Sequence, residues 1–463
     1  MLEMIRSGQP MVLRQKIELA ARLSLPAIVA QLSSVLMQYI DASMVGHLGA
    51  DEAASIGLVS TSTWLFMGLI SSVGTGYSVQ IAHRIGAGAI EEARSIVRQA
   101  YVTMLLWAIF IMSIALSISA SLPAWLGAGE EIHAGATTYF RIFACTLPIM
   151  GLYWVSGGLL RCSGNIKVPS MLGIMMCALD VIFNFLFIFP TREVSILGSS
   201  ITIWGAGWGV AGAALGTAAA SLTTMICIVY FLLFRSPELN QRGLGKWKLH
   251  LSKAVFRKAV SISTPMAFER VVMCGAQVLS TAIVAPLGTI AIAANSFGIT
   301  IESLCYMPGY GVAEAATTLT GQTLGANRLD LTRSFTRIVI SMGVGVMTLM
   351  GLLMYVFAPE MMAVVTPHEG IVALGSDVLR VEAFAEPMFA ASIVAYSIFV
   401  GAGKTIVSSS INFTCIWVVR LSLAWYLAPQ YGLMGVWVAM AVELCVRGII
   451  FLTQIFRWKW LKH

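Results

Sequence analysis

The sequence predicts an all-α integral membrane protein of twelve transmembrane helices arranged as two parallel six-helix repeats. Three observations carry this expectation: too little charge for a water-facing surface, a succession of long apolar runs, and an internal repeat at a fixed offset. Of the 463 residues 58% are hydrophobic and 11% charged, with a mean hydropathy of +0.83. A soluble domain carries roughly 25% charged residues. A chain this poor in charge must be solvated largely by lipid.

A spanning helix needs about 20 mainly apolar residues, and irregular backbone cannot face hydrocarbon. Reading between charged and Gly/Pro breaks gives twelve spans, near 18–46, 53–82, 99–122, 135–160, 168–190, 208–234, 258–286, 291–321, 337–358, 376–402, 406–428 and 433–456. The runs are continuous and lack period-2 alternation, which argues against a β-barrel. Lys and Arg gather in one alternate set of connections, 1–22, 83–98, 161–167, 235–257, 323–337, 403–405 and 457–463, whereas the opposite set holds only Arg192. By the positive-inside rule both termini are expected in the cytoplasm. The charge of +7 is thus read as topology, not as a nucleic-acid surface. The N-terminus shows no cleavable signal pattern, so the first helix is expected to act as an uncleaved insertion signal. The eight cysteines include no CxxC pair and are read as reduced packing residues.

The repeat appears at a shift of 239 residues, which superposes Pro26 on Pro265, Leu48-Gly49 on Leu287-Gly288, Gly86-Ala87 on Gly325-Ala326, Arg98 on Arg337, Pro148 on Pro387 and Gly164 on Gly403. Later the offset falls to 223, where Gly209 meets Gly432 and Gly212 meets Gly435, so the first half holds 16 extra residues, which fit in the outer segment 191–207. Six helices per half make the repeats parallel, and such architectures place a substrate site between halves that rock against one another. The expected division is a lobe over 1–234, a charged cytoplasmic linker over 235–257 and a second lobe over 258–463.

Several motifs then carry a family resemblance. Leu25-Pro26 followed by Tyr39-Ile40-Asp41-Ala42-Ser43-Met44-Val45-Gly46-His47-Leu48-Gly49 resembles the first helix of multidrug and toxic compound extrusion transporters. Met307-Pro308-Gly309-Tyr310-Gly311, Thr320-Gly321-Gln322-Thr323-Leu324-Gly325-Ala326, Gly401-Ala402-Gly403-Lys404-Thr405 and Val419-Arg420-Leu421-Ser422-Leu423-Ala424-Trp425-Tyr426 follow in the same order. The resemblance implies a two-lobed, V-shaped transporter around a central cavity. It also implies export of small amphipathic, often cationic compounds driven by inward proton or sodium flow, with no cofactor beyond that ion. The expected setting is the plasma (inner) membrane of a prokaryote, as a multi-pass monomer whose partners are its substrates and membrane lipids, without nucleic acid. A flippase for a lipid-linked sugar shares the wider fold and is the rival reading; it would want a basic cavity for pyrophosphate.

An ionisable side chain at membrane depth costs about 2.5–3.5 kcal/mol on insertion scales, so each is a functional candidate. Gln31, Ser34, Gln38 and Asp41 are spaced 3, 4 and 3 and share one helical face. Asp180 and Asn184 lie four apart on the fifth span, near its midplane. Asp41, Asp180 and Asn184 are therefore the candidate cation-coupling set, and the candidate metal ligands if the ion is sodium. Some family members carry Asn first and the acid four residues later; here the order is reversed. Glu269, Met273, Gln277 and Ser280 form a second polar-leaning stripe, and Glu302 falls mid-helix. Gln31, Ser34, Gln38, Glu269, Met273, Gln277 and Glu302 are the candidate substrate-cavity residues. In some family branches the acid of the seventh helix comes eight positions after its proline, where this chain has Met273. Glu386 is a weaker candidate, Glu314 is expected to be a structural contact, Arg420 a brace, and Arg447 a partner of Glu443. Pro26 lies on the helix of Asp41, where bending could accompany protonation.

Gly401 to Thr405 imitates the end of a phosphate loop, but the required earlier glycine is Ile398 and no strand precedes it. Gly209 to Gly216 imitates a dinucleotide fingerprint but opens a span, where small residues serve helix packing. There is no HExxH spacing, and none of the six histidines lies near the middle of a span, so a membrane-embedded metalloenzyme is disfavoured.

Overall fold

The computed structural model describes residues 2–196, 199–242 and 251–461. Eleven helices are long and apolar enough to cross a membrane, and one bent pair completes a twelfth span. The spans are Leu13–Gly46, Ala50–Gly86, Ile90–Ile118, Glu130–Cys162, Lys167–Ile188 and Gly209–Tyr230 in the first half. In the second half they are Lys253–Val284, Thr289–Gly325, Leu329–Val365, the pair Glu369–Ala383 and Glu386–Gly401, Thr405–Tyr431, and Leu433–Phe456.

The sequence-predicted tenth span, 376–402, is not one straight helix: it breaks between Ala383 and Glu386 with a bend of 58°. Pro387 stands in the first turn after the break, where its missing N–H costs nothing. Its repeat mate Pro148 lies inside an unbroken helix, so proline permits the break without dictating it. The segment predicted to hold the extra residues forms an antiparallel hairpin, β1 (Pro190–Ile196) with β2 (Ser199–Ala206). At its base the Arg192 guanidinium sits 4.0 Å from the Phe185 ring centre and 4.4 Å from that of Phe189. The one Lys or Arg of that set of connections is thus held by aromatic faces. Of the predicted linker, 243–250 lies outside the described residues; its first part packs on the first half, with Arg94 donating to the Glu238 carbonyl at 2.9 Å.

The repeat extends to backbone conformation. Gly164 (φ +100°) and Gly403 (φ +74°) turn the chain after the fourth and tenth spans, and Gly88 (φ +75°) is matched by Asn327 (φ 56°) after the second and eighth. These left-handed positions suit Gly and tolerate Asn.

The two halves meet at the ends of the spans adjoining the basic connections. His83 Nε2 lies 2.8 Å from the Gly401 carbonyl, and Gln322 Nε2 donates to the Cys162 carbonyl at 2.9 Å. Residues 83 and 322, and likewise 162 and 401, are repeat mates at the offset of 239, so the two bonds are images of each other about the pseudo-twofold axis. The backbones touch there. A Cβ on Gly86 would strike the Gln322 carbonyl, and one on Gly325 the His83 carbonyl. Further cross-half contacts stand at the same level: Thr318 Oγ1 donates to the Arg161 carbonyl at 3.0 Å, Arg161 lies 3.6 Å from Glu314, and Gln31 donates to Glu314 at 3.3 Å. The first span is shared. Leu19, Ala20, Leu23 and Ala27 near its start sit in one core with Val312, Leu319 and Phe335 of the second half, while Asp41 near its end meets the fifth span.

Candidate functional site

Asp41, Asp180 and Asn184 are brought together. The Asn184 amide nitrogen donates to Asp41 Oδ1 and to Asp180 Oδ2, each at 3.1 Å. The i, i+4 spacing on the fifth span places Asp180 and Asn184 on one face, one turn apart, and the first span supplies Asp41 from across the gap. Asp180 is fully buried and Asn184 nearly so, whereas Asp41 is half-buried. Asp180 Oδ1 and Asn184 Oδ1 are buried without a hydrogen-bond partner among the described residues. No ion pair there includes Asp41 or Asp180.

Two carboxylates bridged by one neutral amide, with no basic neighbour to balance them, form a site that gains from taking up positive charge. The amide turns its nitrogen toward both carboxylates, leaving its oxygen outside the cluster. Among the described residues no three His, Cys, Asp or Glu side chains are arranged to hold a metal.

Glycine at 216 makes the arrangement possible. A Cβ there would land on Asn184 Oδ1 and lie 2.9 Å from its backbone nitrogen, so the sixth span can approach the fifth only without a side chain. Gly216→Val should displace Asn184 and cost about 1–3 kcal/mol, the usual range for overpacking. A melting curve of purified protein checks this; an unchanged midpoint with full export would contradict it. Gly216 lies within the glycine-alanine run read from sequence only as packing. Tyr139 of the fourth span and Thr217 of the sixth also face the carboxylates, and no spacing in the sequence points to them.

The other candidates disperse. Ser34 is half-buried and Gln38 exposed, while Gln31, on the same stripe, bonds to Glu314 at the closed junction. The first span runs unbroken through Pro26. Glu269 is met by three donors: Tyr396 Oη at 2.9 Å, Ser409 Oγ at 2.6 Å and Asn412 Nδ2 at 2.7 Å. Those partners come from the tenth and eleventh spans, so Glu269 ties three helices of its lobe together. Met273 and Gln277 are exposed. Glu302 is buried and stands apart from Glu269, in a group with Glu382, Glu386 and Glu443. Ser280, one repeat offset from Asp41, has no carboxylate to offer. The halves share a frame but not a chemistry.

The MatE family signature matches residues 26–186 and again 265–426. The two matches begin at Pro26 and Pro265, one repeat offset apart. A Thermotoga maritima protein named probable multidrug resistance protein NorM is 21% identical over 453 residues, covering 96% of this chain and 92% of its own. A Neisseria meningitidis serogroup B protein of the same name is 23% identical over 462 residues, covering 97% and 95%. A solved structure described as the outward-facing conformation of a multidrug resistance MATE family transporter of the MOP superfamily superposes with a TM-score of 0.88, at 22% identity and 97% coverage of both chains. With the signature matching both halves of a twelve-span fold, the chain belongs to the MatE family and is a membrane transporter.

Proposed function

We propose that this transporter exports small amphipathic, cationic compounds in exchange for protons, by alternating access between its two lobes. The observation that carries the reading is the buried Asp41–Asn184–Asp180 linkage: negative charge without a basic partner, reachable through half-buried Asp41. Proton uptake there neutralises the cluster; release restores a charge that disfavours the same packing. An ion can drive a conformational exchange only by binding one state more tightly than the other. The carboxylates in both lobes favour cations over the anionic pyrophosphate of a lipid-linked sugar. The names of the relatives support the multidrug reading. The basic connections support cytoplasmic termini in a plasma (inner) membrane, and the presence of both lobes in one chain supports a monomer.

The test is uptake of a fluorescent cationic dye by inverted membrane vesicles under an imposed proton or sodium gradient. Accumulation under the proton gradient alone is the expected result. Accumulation under sodium alone would replace the coupling ion, and none across several dyes under either gradient would favour a flippase.

A further inference from the structure

The two halves treat one pair of arginines differently. Arg94 and Arg98 of the third span correspond to Arg333 and Arg337 of the ninth at the offset of 239. In the first half the pair is met internally: Arg94 reaches Glu91 at 2.8 Å and donates to the Glu238 carbonyl at 2.9 Å, and Arg98 is buried. In the second half Asp330, the mate of Glu91, lies 3.5 Å from Arg328 instead. Glu238 corresponds at the offset of 223 to apolar Leu461. Arg333 and Arg337 are exposed, as are Arg457 and Lys459 after the twelfth span. No ion pair among the described residues includes any of these four. Lys16 adds a further positive charge beside them, its Nζ 3.0 Å from Ser334 Oγ.

Trp458 stands over the pair where the first half places its linker. Its ring centre lies 5.6 Å from the Arg333 guanidinium and 5.7 Å from that of Arg337. Trp458 takes a left-handed φ of 55°, a conformation that costs a bulky residue energy. Its surroundings hold it there: Phe456 stacks edge-on at 5.9 Å, and Trp460 lies 6.3 Å away, buried and donating from Nε1 to the Ile455 carbonyl at 2.9 Å. Tryptophan gathers at the boundary between membrane and water, and Arg337 opens the apolar run of the ninth span. The surface is therefore level with lipid headgroups. One and two turns deeper on the face of Arg337 stand Ser341 and Gly345, both exposed, and a Cβ on Gly345 would meet nothing within 4 Å. That small-residue face leaves room for an acyl chain beneath the guanidinium groups. We propose that Arg333, Arg337 and Trp458 bind the phosphate group of an anionic phospholipid, whose chain lies along Ser341 and Gly345. Guanidinium forks match phosphate oxygens bidentately, and basic pockets at the ends of spans suit lipid headgroups. The lipid ties the second lobe alone to the leaflet on the side of the basic connections, because the first half has spent its own arginines internally. This site does not depend on the exporter reading.

Native mass spectrometry of the purified full chain, incubated in detergent with equal amounts of phosphatidylglycerol and phosphatidylcholine, tests the site without substrate or gradient. Phosphatidylglycerol should be retained in roughly 30-fold preference, the effect of two arginines near an anionic surface. Arg333→Gln/Arg337→Gln should abolish the preference, and Trp458→Ala, which changes no charge and relieves the left-handed backbone, should weaken it. Lys253→Gln/Arg257→Gln removes the same charge at the start of the seventh span and should leave the preference intact. A preference that survives Arg333→Gln/Arg337→Gln, or that falls equally in the Lys253/Arg257 variant, would overturn the proposal. Release of the bound lipid by an equal concentration of inorganic phosphate would also overturn it, by showing a site for the free anion.

Discussion

Asp41→Asn is expected to reduce proton-driven dye accumulation to the level of vesicles without transporter, while dye binding to the purified protein stays within a few-fold of wild type. The amide keeps the shape of the side chain and can still meet Asn184, but it removes the charge whose appearance and disappearance the gradient must act upon. The same substitution should raise the melting midpoint. Two carboxylates bridged by one amide repel by a few kcal/mol at an effective dielectric of about 20, and no ion pair among the described residues includes Asp41 or Asp180. A lowered midpoint would show that the hydrogen bond from Asn184 to the Asp41 carboxylate outweighs the repulsion. Retained accumulation would move the coupling step away from the first lobe.

Gly86→Val combined with Gly325→Val should prevent the lobes from closing at their basic ends. At each position the obstacle is a backbone carbonyl of the partner helix, Gln322 in one case and His83 in the other. A flexible side chain can yield to an added methyl; a helix backbone can yield only by moving as a body. Overpacking of this kind costs about 1–3 kcal/mol per site. Because the sites are pseudo-symmetric images, both costs fall on the closed state alone. Since 1.4 kcal/mol is tenfold in population, two wedges should shift the equilibrium roughly 30-fold or more toward separation. Spin labels on the exposed residues Arg84 and Ile406, one on each lobe, should report a longer distance in the variant, with export lost. An unchanged distance would mean that the lobes slide past one another and that the glycines are not the pivot.

Composition and periodicity suffice to place this chain in a membrane with twelve spans. Lipid imposes one-dimensional rules: each spanning segment must be long, apolar and internally hydrogen-bonded. The two-lobe frame was equally legible, because a gene-length repeat leaves prolines and glycines at one offset, and Pro26 and Pro265 are where the family signature begins twice. Asp41, Asp180 and Asn184 could be picked out one by one, since a carboxylate at membrane depth is costly. Glu382, near the start of its predicted span, carried no such mark until the fold buried it.

Only the tertiary structure decided what these residues do to one another. Spacing put Gln31 and Asp41 on one face, yet the first span belongs to the second lobe's core near its start and to the fifth span near its end. One residue therefore became a junction contact and the other a member of the Asp41–Asn184–Asp180 cluster. Glu269, a candidate cavity residue by sequence, is held by three donors from two other spans. Pro148 and Pro387 are repeat mates, yet only the second accompanies a break. Hydropathy and spacing describe a helix against lipid, an environment alike in every direction. Pairing, bending and charge balance depend on which helix stands opposite, and that is set by packing among segments far apart in the chain.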